Sequence, residues 1–473
     1  MKSRIKNLFA AALIFFAAIS SFGQGTTTSG MNGKVTDENG DPLPGATIIA
    51  VHTPTGSQFG GITDNQGFFR LPNMNVGGPY KVTVSFIGYQ SFIKEGIYLT
   101  LGQTFKMNVS LGESTTELAE VAVVGSKVRE YDTFDGNRTG AETNISNEQI
   151  AMMPTVNRDM ADFTRLTPQD SVGGDGSISI AGINNRYNAI SIDGAVNNDV
   201  FGLSATGTNG GQTGGSPVSM DAIEQFQVTI APYDVRQSGF AGASINAVTR
   251  SGSNRFEGSA YYFMRNEGLA GKTPTDDEDL EKKKLDSFSS NTYGFRLGGP
   301  IIKNKLFFFA NLEIQREETP LGFDFSTYQG DSDRSTIDQV TAKLQSFGYE
   351  PGPWEQKTRK LNSNKFLVRL DWNINMHHKL MARHSYTNLE AVKAGASSSR
   401  AIGYENNSQY FPSVTNSTSV ELKSNYNNFS NSLILGLTSV RDDRDPYGAN
   451  FPALRIYDGS ATIYAGSEAY STA

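Results

Sequence analysis

Directly after Gly252 the chain adopts a pattern that few folds can use: runs of about ten residues alternating strictly between apolar and polar side chains, with aromatic residues at their ends. Phe256, Gly258, Ala260, Tyr262 and Met264 alternate with Glu257, Ser259, Tyr261 and Phe263. Leu306, Phe308, Ala310, Leu312 and Ile314 alternate with Phe307, Phe309, Asn311, Glu313 and Gln315. Phe366, Val368, Leu370, Trp372 and Ile374 alternate with Lys365, Leu367, Arg369, Asp371 and Asn373, and further runs lie at Asn291–Leu297, Leu380–Thr387, Ser419–Tyr426 and Ser432–Val440. Successive strand side chains point to opposite faces, so each run offers one face to an apolar phase and one to a polar interior. A soluble antiparallel sandwich shows the same alternation. The aromatic ends and the N-terminal segment described next favour transmembrane strands.

Lys2, Arg4 and Lys6 form a positive start, Leu8–Ile19 an apolar core, and Ser21 and Gly23 the small residues of a cleavage site. Residues 1–23 therefore read as a signal peptide, with the mature chain beginning at Gln24. The apolar run is too short to span a bilayer as a helix, which takes about 20 residues. No cysteine follows it, so no lipidated N-terminus is expected, and none occurs anywhere to build disulfides or thiolate metal sites. Charged residues make up only 19% of the 473-residue chain, below the roughly one quarter usual for soluble domains. A mean hydropathy of -0.37 excludes a bundle of membrane helices, whereas barrel strands dilute their apolar signal with a polar face. Net charge is -7 with no long basic run, which leaves no electrostatic footprint for nucleic acid.

Residues 30–112 read as a small β-sandwich. Alternating runs at Gly33–Thr36, Ala46–His52, Gly67–Leu71, Tyr80–Ile87 and Thr104–Leu111 are separated by turns such as Asn39-Gly40-Asp41-Pro42 and Asp64-Asn65-Gln66-Gly67. Asp37, Asp41 and Asp64 have the look of calcium ligands but lack a loop-closing glutamate, so backbone capping in turns is their expected work. Residues 113–140 form a polar linker carrying one β-prone patch, Glu120, Val121, Ala122, Val123 and Val124. Such a patch either donates a strand to a partner's sheet or pairs with its own neighbouring domain.

Residues 141–252 mix helix and strand. Ser146 with Gln149 forms a capping box, and Asn157 is placed to cap a second helix over Arg158–Leu166. Strands are expected at Ser177–Ala181 and Tyr187–Ile192, before a flexible Gly/Thr/Asn loop at Gly202–Gly215. The segment closes with Ser219–Asn254: a helical turn, a strand, a glycine-marked corner and a second strand ending Thr249-Arg250-Ser251-Gly252. Beyond it the spacers differ in length. Pro300–Asn304 is a tight turn, whereas Asn266–Ser290, which carries the charged run Asp276–Lys284, and Glu317–Asn362 are long and polar, as expected of external loops. Nothing reads as catalytic: there is no HExxH, no GxSxG and no phosphate-binding glycine motif. His378 and His384 are expected to be polar lumen residues.

Taken together these residues resemble the TonB-dependent outer-membrane receptors, in particular the Oar-like group with a carboxypeptidase-regulatory-like N-terminal domain. Gly33-Lys34-Val35, Pro42–Ala46 and Thr63-Asp64 with Gly67-Phe68 match the N-terminal module. Glu120–Val124 looks like the TonB box. Ile192-Asp193-Gly194, Ile223-Glu224, Gly242–Asn246 and Thr249-Arg250-Ser251-Gly252 match the plug, and Gly299–Phe309 an early barrel hairpin. Where many plugs carry an arginine, Ile180-Ala181-Gly182 has alanine, so that arginine's role does not transfer.

The resemblance implies a mainly β protein: a transthyretin-like or Ig-like β-sandwich, an α/β plug domain, and the first strands of a large transmembrane antiparallel β-barrel (253–473). It implies localisation in the outer membrane, sandwich and plug on the periplasmic side, with lipid around the wall. The implied partners are TonB with its inner-membrane energising complex and an unknown external ligand; no cofactor, metal or enzyme activity is implied. A different class of function, a passive surface adhesin or scaffold anchored by the barrel, would not need the box. Only seven or eight strands follow Gly252, against about 22 in plugged transporters, and the C-terminus lacks a closing aromatic residue. The chain is therefore expected to be the N-terminal portion of a longer receptor.

Overall fold

The computed structural model describes residues 25–114, 123–124, 140–153, 155, 158–173, 176–199, 202–232, 237–272, 284–395, 397–426 and 429–467. The signal segment, Glu120, Val121, Ala122, Asn157, most of the charged run at 276–284 and the last residues lie outside these.

Nine strands make up the N-terminal part: β1 (Ser29–Asp37), β2 (Thr47–His52), β3 (Ser57–Ile62), β4 (Phe68–Met74), β5 (Gly77–Ser85), β6 (Phe92–Leu99), β7 (Thr104–Lys106), β8 (Val109–Leu111) and β9 (Val123–Val124). One sheet runs β4-β1-β7, with β8 also on β1; the other runs β3-β2-β5-β6-β9. Their inward residues, among them Met31, Val35, Ile48, Ala50, Phe69, Leu71, Val82 and Val84, interdigitate in one core. β3 and β6 are additional to the runs read from sequence. Gly60-Gly61 in one and Lys94-Glu95-Gly96 in the other interrupt the apolar alternation. The run Thr104–Leu111 is two strands rather than one. The chain steps across at Met107, whose N–H donates to Asn32 O at 2.8 Å. Asp37 Oδ1 accepts from the backbone N–H of Asn39 and Asp41, and Asp64 Oδ1 from those of Gln66 and Phe68. These carboxylates cap turns.

His52 lies inside this domain, its Nδ1 2.7 Å from Thr55 Oγ1 and its ring 4.9 Å from that of Tyr80. Burial lowers its pKa to about 4, while the unfolded chain titrates near 6.5. Below pH 6.5 the unfolded state thus binds a proton that the folded state refuses. The stability this group contributes is complete above pH 6.5 and is lost as pH falls toward 4. Between pH 7 and pH 4.5 the sandwich should lose about 2–3 kcal/mol from this group alone. His52→Gln should flatten that dependence, read as the urea midpoint of β2 hydrogen exchange corrected for intrinsic rates.

The central part folds around a five-stranded sheet in the order β10-β15-β16-β13-β14. The strands are β10 (Gly140–Ser146), β13 (Ala189–Ile192), β14 (Ala195–Val196), β15 (Ile223–Pro232) and β16 (Ser244–Thr249), with a separate pair β11 (Asp170–Val172) and β12 (Ile178–Ile180). Helix α1 (Asn147–Met152) opens on the capping box of Ser146 and Gln149. Helix α2 (Met160–Thr164) is capped by Asp159, whose side chain accepts from Asp162 N. Arg158 holds a φ of 52°, outside the helical range, so the helix can begin only after it. Tyr187 closes a 3-10 turn before β13 instead of belonging to it.

The glycine-rich loop is built in rather than loose. Ser204, Thr208, Asn209 and Thr213 are buried, and Asn185 Nδ2 donates to the carbonyls of Ser204 and Ala205. A Cβ on Gly210 would sit 2.9 Å from Ser413 Oγ and 3.0 Å from Leu389 Cδ1. Here glycine permits close approach to the next domain, a role that composition alone presents as flexibility.

Seven long antiparallel strands follow, each paired with its neighbour: β17 (Glu257–Asn266), β18 (Ser289–Ile302), β19 (Leu306–Leu321), β20 (Lys357–Asn373), β21 (His378–Lys393), β23 (Gln409–Tyr426) and β24 (Phe429–Asp442). The central part touches both ends of this wall: Ser219 Oγ, just before β15, lies 3.4 Å from Tyr261 OH on β17, and Thr438 Oγ1 on β24 donates to Val196 O. The wall therefore curves around it. Faces sort as the alternation requires. Phe307, Phe309, Asn311 and Glu313 are buried inward, while Tyr262, Phe295, Leu312, Leu370 and Trp372 are exposed outward. His384 is on the outward face, its Nδ1 2.9 Å from Thr418 Oγ1. It shares strand parity with Ala382 and Tyr386, opposite to Arg383, so it does not face the lumen.

At the end of the wall away from the sandwich, helix α3 (Arg334–Ser346) and strands β22 (Ala401–Gly403), β26 (Leu454–Asp458) and β27 (Ala461–Ala465) form a cap, with β25 (Asp445–Pro446) pairing on β23. Ile337, Leu344, Tyr349, Trp354, Ile402, Tyr404 and Ile463 give this cap its own core. The spacer expected as a polar loop from Glu317 to Asn362 thus contains a helix, and its flanks continue β19 and β20.

Candidate functional site

The central sheet and the wall meet at a buried carboxylate. Ile192-Asp193-Gly194-Ala195 is a two-residue hairpin between β13 and β14, with Ser191 opposite Val196 and Ile192 opposite Ala195. Both turn residues have positive φ, 46° at Asp193 and 76° at Gly194, the conformation that favours an Asp-Gly pair. This turn pushes Asp193 out of the sheet and into the wall, where it is 1% exposed.

Four groups converge on Asp193. Thr249 of β16 donates its N–H to Oδ1 at 2.9 Å and its Oγ1 hydroxyl to Oδ2 at 2.7 Å. Arg369 of β20 donates through Nη1 to Oδ1 at 3.3 Å and to Thr249 O at 2.7 Å. Arg383 of β21, fully buried, brings Nε to 3.2 Å from Oδ2, off the hydrogen-bond axis, so that contact is coulombic. Its Nη2 donates to Ile192 O and Ser417 Oγ. Arg369 is further held by Asp371 through paired hydrogen bonds of 2.8 Å. Two carboxylates thus balance two guanidiniums, with Asp193 and Arg383 almost wholly buried. Such an arrangement is costly to break from one side, because the remaining charge stays buried and unpaired.

A second polar joint lies higher in the wall. Glu313 of β19 accepts from Ser219 Oγ at 2.8 Å, Tyr261 OH at 2.5 Å and Lys365 Nζ at 2.8 Å. Both joints use lumen-facing wall residues. They are the charges that strand alternation assigns to the interior.

The remaining sequence-selected residues divide by role. Ile192 and Ile223 are core. Glu224 accepts from Asn147 Nδ2 at 3.1 Å and lies 4.0 Å from Arg250. Gly242 and Asn246 support β16: a Cβ on Gly242 would meet Asn188 Oδ1 at 2.3 Å, and Asn246 Oδ1 accepts from Ser191 Oγ. Gly252 passes against wall backbone, where a Cβ would lie 2.3 Å from Phe308 O and 2.8 Å from Gly299 O. Of the patch at 120–124, only Val123 and Val124 are described, as a short strand parallel to β6 that pairs with Ile93 and Lys94. Arg383, Glu313, Lys365 and Ser419, whose Oγ donates to Asp193 O, were not singled out from sequence. Their one signal is a polar or charged residue at a lumen-facing position of a strand.

Two cavities flank the joints. The outer one, about 520 Å³, is bounded by the glycine-rich loop and by Glu313, Arg359 and Lys393. The inner one, about 560 Å³, lies below Arg369 and Asp371. Neither the carboxylates nor the histidines around them form a group of three or more possible metal ligands among the described residues.

Comparison with known proteins agrees with this layout. Residues 30–112 match the carboxypeptidase regulatory-like domain, and residues 248–335 the outer membrane beta barrel domain. The TonB-dependent transporter Oar of Myxococcus xanthus is 27% identical over 318 residues, covering 64% of this chain and 27% of that protein. The TonB-dependent receptor SusC of Bacteroides thetaiotaomicron is 32% identical over 174 residues, covering 35% of this chain and 15% of that protein. The chain thus spans about a quarter of the length of the first curated relative and less of the second. Among solved structures, a mutant of the ferric enterobactin receptor PfeA from Pseudomonas aeruginosa aligns with a TM-score of 0.47 at 15% identity, over 69% of this chain and 44% of that one.

Proposed function

We propose that this chain, a homologue of the TonB-dependent transporters, belongs to an outer-membrane receptor that takes an external ligand at its outer loops and passes it through a plugged β-barrel. In this reading residues 1–23 are a signal peptide, 30–112 a sandwich, 113–140 a linker with the TonB box, 141–252 the plug and 253–473 barrel wall. The observation that carries it is the buried pairing of Asp193 with Arg369 and Arg383. A folded domain is fastened inside a curved, outwardly apolar wall by buried ion pairs. The chain need supply no chemistry of its own, since the work arrives as a pull through Glu120–Val124 from TonB and its inner-membrane complex.

The β-prone character of that patch supports strand pairing with a partner, and its last two residues already take strand geometry on β6. The test uses the full-length receptor in native membranes and the periplasmic domain of the organism's own TonB. Deleting Glu120–Val124, or replacing Val123 by proline, should abolish capture of that domain, because proline removes a ladder donor. Surface levels of the receptor should stay unchanged. Undiminished capture by both variants would remove the coupling role and leave the barrel as a passive anchor for an adhesin.

A further inference from the structure

The sandwich is docked across the inner end of the wall. Its loops reach the plug sheet first: Leu101 N donates to Gln225 Oε1 at 2.9 Å, Gln227 Nε2 to Leu101 O at 3.0 Å, and Gln103 Nε2 to Glu142 Oε1 at 2.6 Å. They also meet three successive strand connections of the wall. Ser57 Oγ donates to Asn373 Oδ1 at 2.9 Å, and Asn254 N, beside the Asn304 turn, donates to Pro54 O at 2.7 Å. Asn73 Nδ2 donates to Asn425 Oδ1 at 3.1 Å, and Asn425 Nδ2 returns a bond to Pro72 O at 3.3 Å. Lys379 Nζ donates to Gln58 O and stands 3.8 Å above the Phe59 ring.

These contacts enclose the inner cavity. Its roof is plug backbone around Arg250, its side is Arg369 and Asp371, and its floor is His52, Thr55 and Pro79 of the sandwich. Anything that passed the plug along this arc would land on the sandwich. The contacts named are mostly hydrogen bonds, and among the described residues no buried apolar cluster joins the sandwich to the plug or wall, which suits a contact that forms and releases. Val123 and Val124 of the linker patch lie on the same body, since β9 pairs with its β6 edge.

We propose that the N-terminal sandwich is a second gate, seated across the periplasmic mouth in series with the plug. It must swing away before the plug or its cargo can leave the lumen. The outward swing rests on the receptor reading for its driving pull; the closed seat does not.

The chain contains no cysteine, so a staple can be introduced cleanly. A Cβ built on Gly56 lies 3.3 Å from Asn304 Cβ, near the roughly 3.5–4.5 Å of a disulfide. The full-length receptor carrying Gly56→Cys and Asn304→Cys should form this bond under mild oxidation in native outer membranes. Leu101→Cys with Gln225→Cys, where the Leu101 N–H donates to Gln225 Oε1 at 2.9 Å, tests a second contact on the plug side, and the single-cysteine variants control for strain at Gly56. KCl conductance is then measured in planar bilayers with the plug joint weakened by Asp193→Asn. Oxidation of either staple should lower the open fraction by about tenfold or more, and reduction should restore it. If neither pair forms a disulfide, or if conductance ignores the redox state of formed staples, the second gate is wrong. No TonB is present in the bilayer, so failure of energy coupling leaves this result untouched.

Discussion

Asp193→Asn should detach the plug from the wall while the wall itself stays folded. The substitution keeps a side chain that tolerates the 46° φ of this position, and it preserves an acceptor for the Thr249 N–H. What it removes is the charge facing Arg383, which is fully buried, and Arg369, which is 12% exposed. Breaking a buried ion pair from one side costs about 3–5 kcal/mol. Because Asp371 continues to balance Arg369, the lower end of that range, about 3 kcal/mol, is expected. Native-state hydrogen exchange in the β13 and β16 peptides should speed up roughly a hundredfold, with β19–β21 unchanged. Asp193→Asn combined with Arg383→Met should recover part of the loss, since the stranded cation goes with it. If the single variant exchanges like wild type, the joint is ornamental. If the double variant is simply additive, Asp193 and Arg383 do not act together.

Gly252→Ala should block assembly of plug into wall, and Gly252→Val more so. The added carbon would lie 2.3 Å from Phe308 O and 2.8 Å from Gly299 O. Those two residues face each other across the β18–β19 ladder. No flexible side chain stands in the way, only paired backbone, so relief requires opening the ladder or lifting the plug. Overpacking commonly costs about 1–3 kcal/mol, more where neighbours cannot yield, and this position belongs at or above the top of that range. The measurement is the amount of receptor reaching the outer membrane in a folded form that resists unfolding in cold detergent. Gly271→Ala is the control: nothing lies within 4 Å of its added carbon, so its effect should stay within about 0.5 kcal/mol. Equal folded yields for the Gly252 and Gly271 variants would mean that the plug does not exit through this close passage.

All seven long strands of the wall were legible because a wall with one exposed apolar face and one packed polar face imposes a two-residue period. Their lengths were not. The run at Lys365 extends back to Lys357, and Lys357-Thr358-Arg359-Lys360 carries no apolar face to betray a strand. Pairing with β19, in register with Thr319, Pro320 and Leu321, holds it extended. The cap around helix α3 was hidden for a related reason: its core gathers residues from segments that are far apart in the chain. The helix at Met160 started late because Arg158 occupies a conformation that residue type does not announce.

Residue order alone sets the class of structure: alternation, turn chemistry and the Asp193-Gly194 hairpin are local, and each follows from a few neighbouring residues. It also marked Asp193, Thr249 and Gly252 as special, through motifs that need particular backbone angles or no side chain. What those residues meet depends on the packing of the whole fold. Asp193 finds Arg383, 190 positions away, because the parallel β13–β16 pair sets the hairpin's height and strand β21 sets the arginine's. Neither arginine carries any local sign of its partner, since a charge on a lumen face is solvated or paired depending on what fills the lumen. The seat of the sandwich is of the same kind: asparagines in turns look ordinary until a second domain is laid against them.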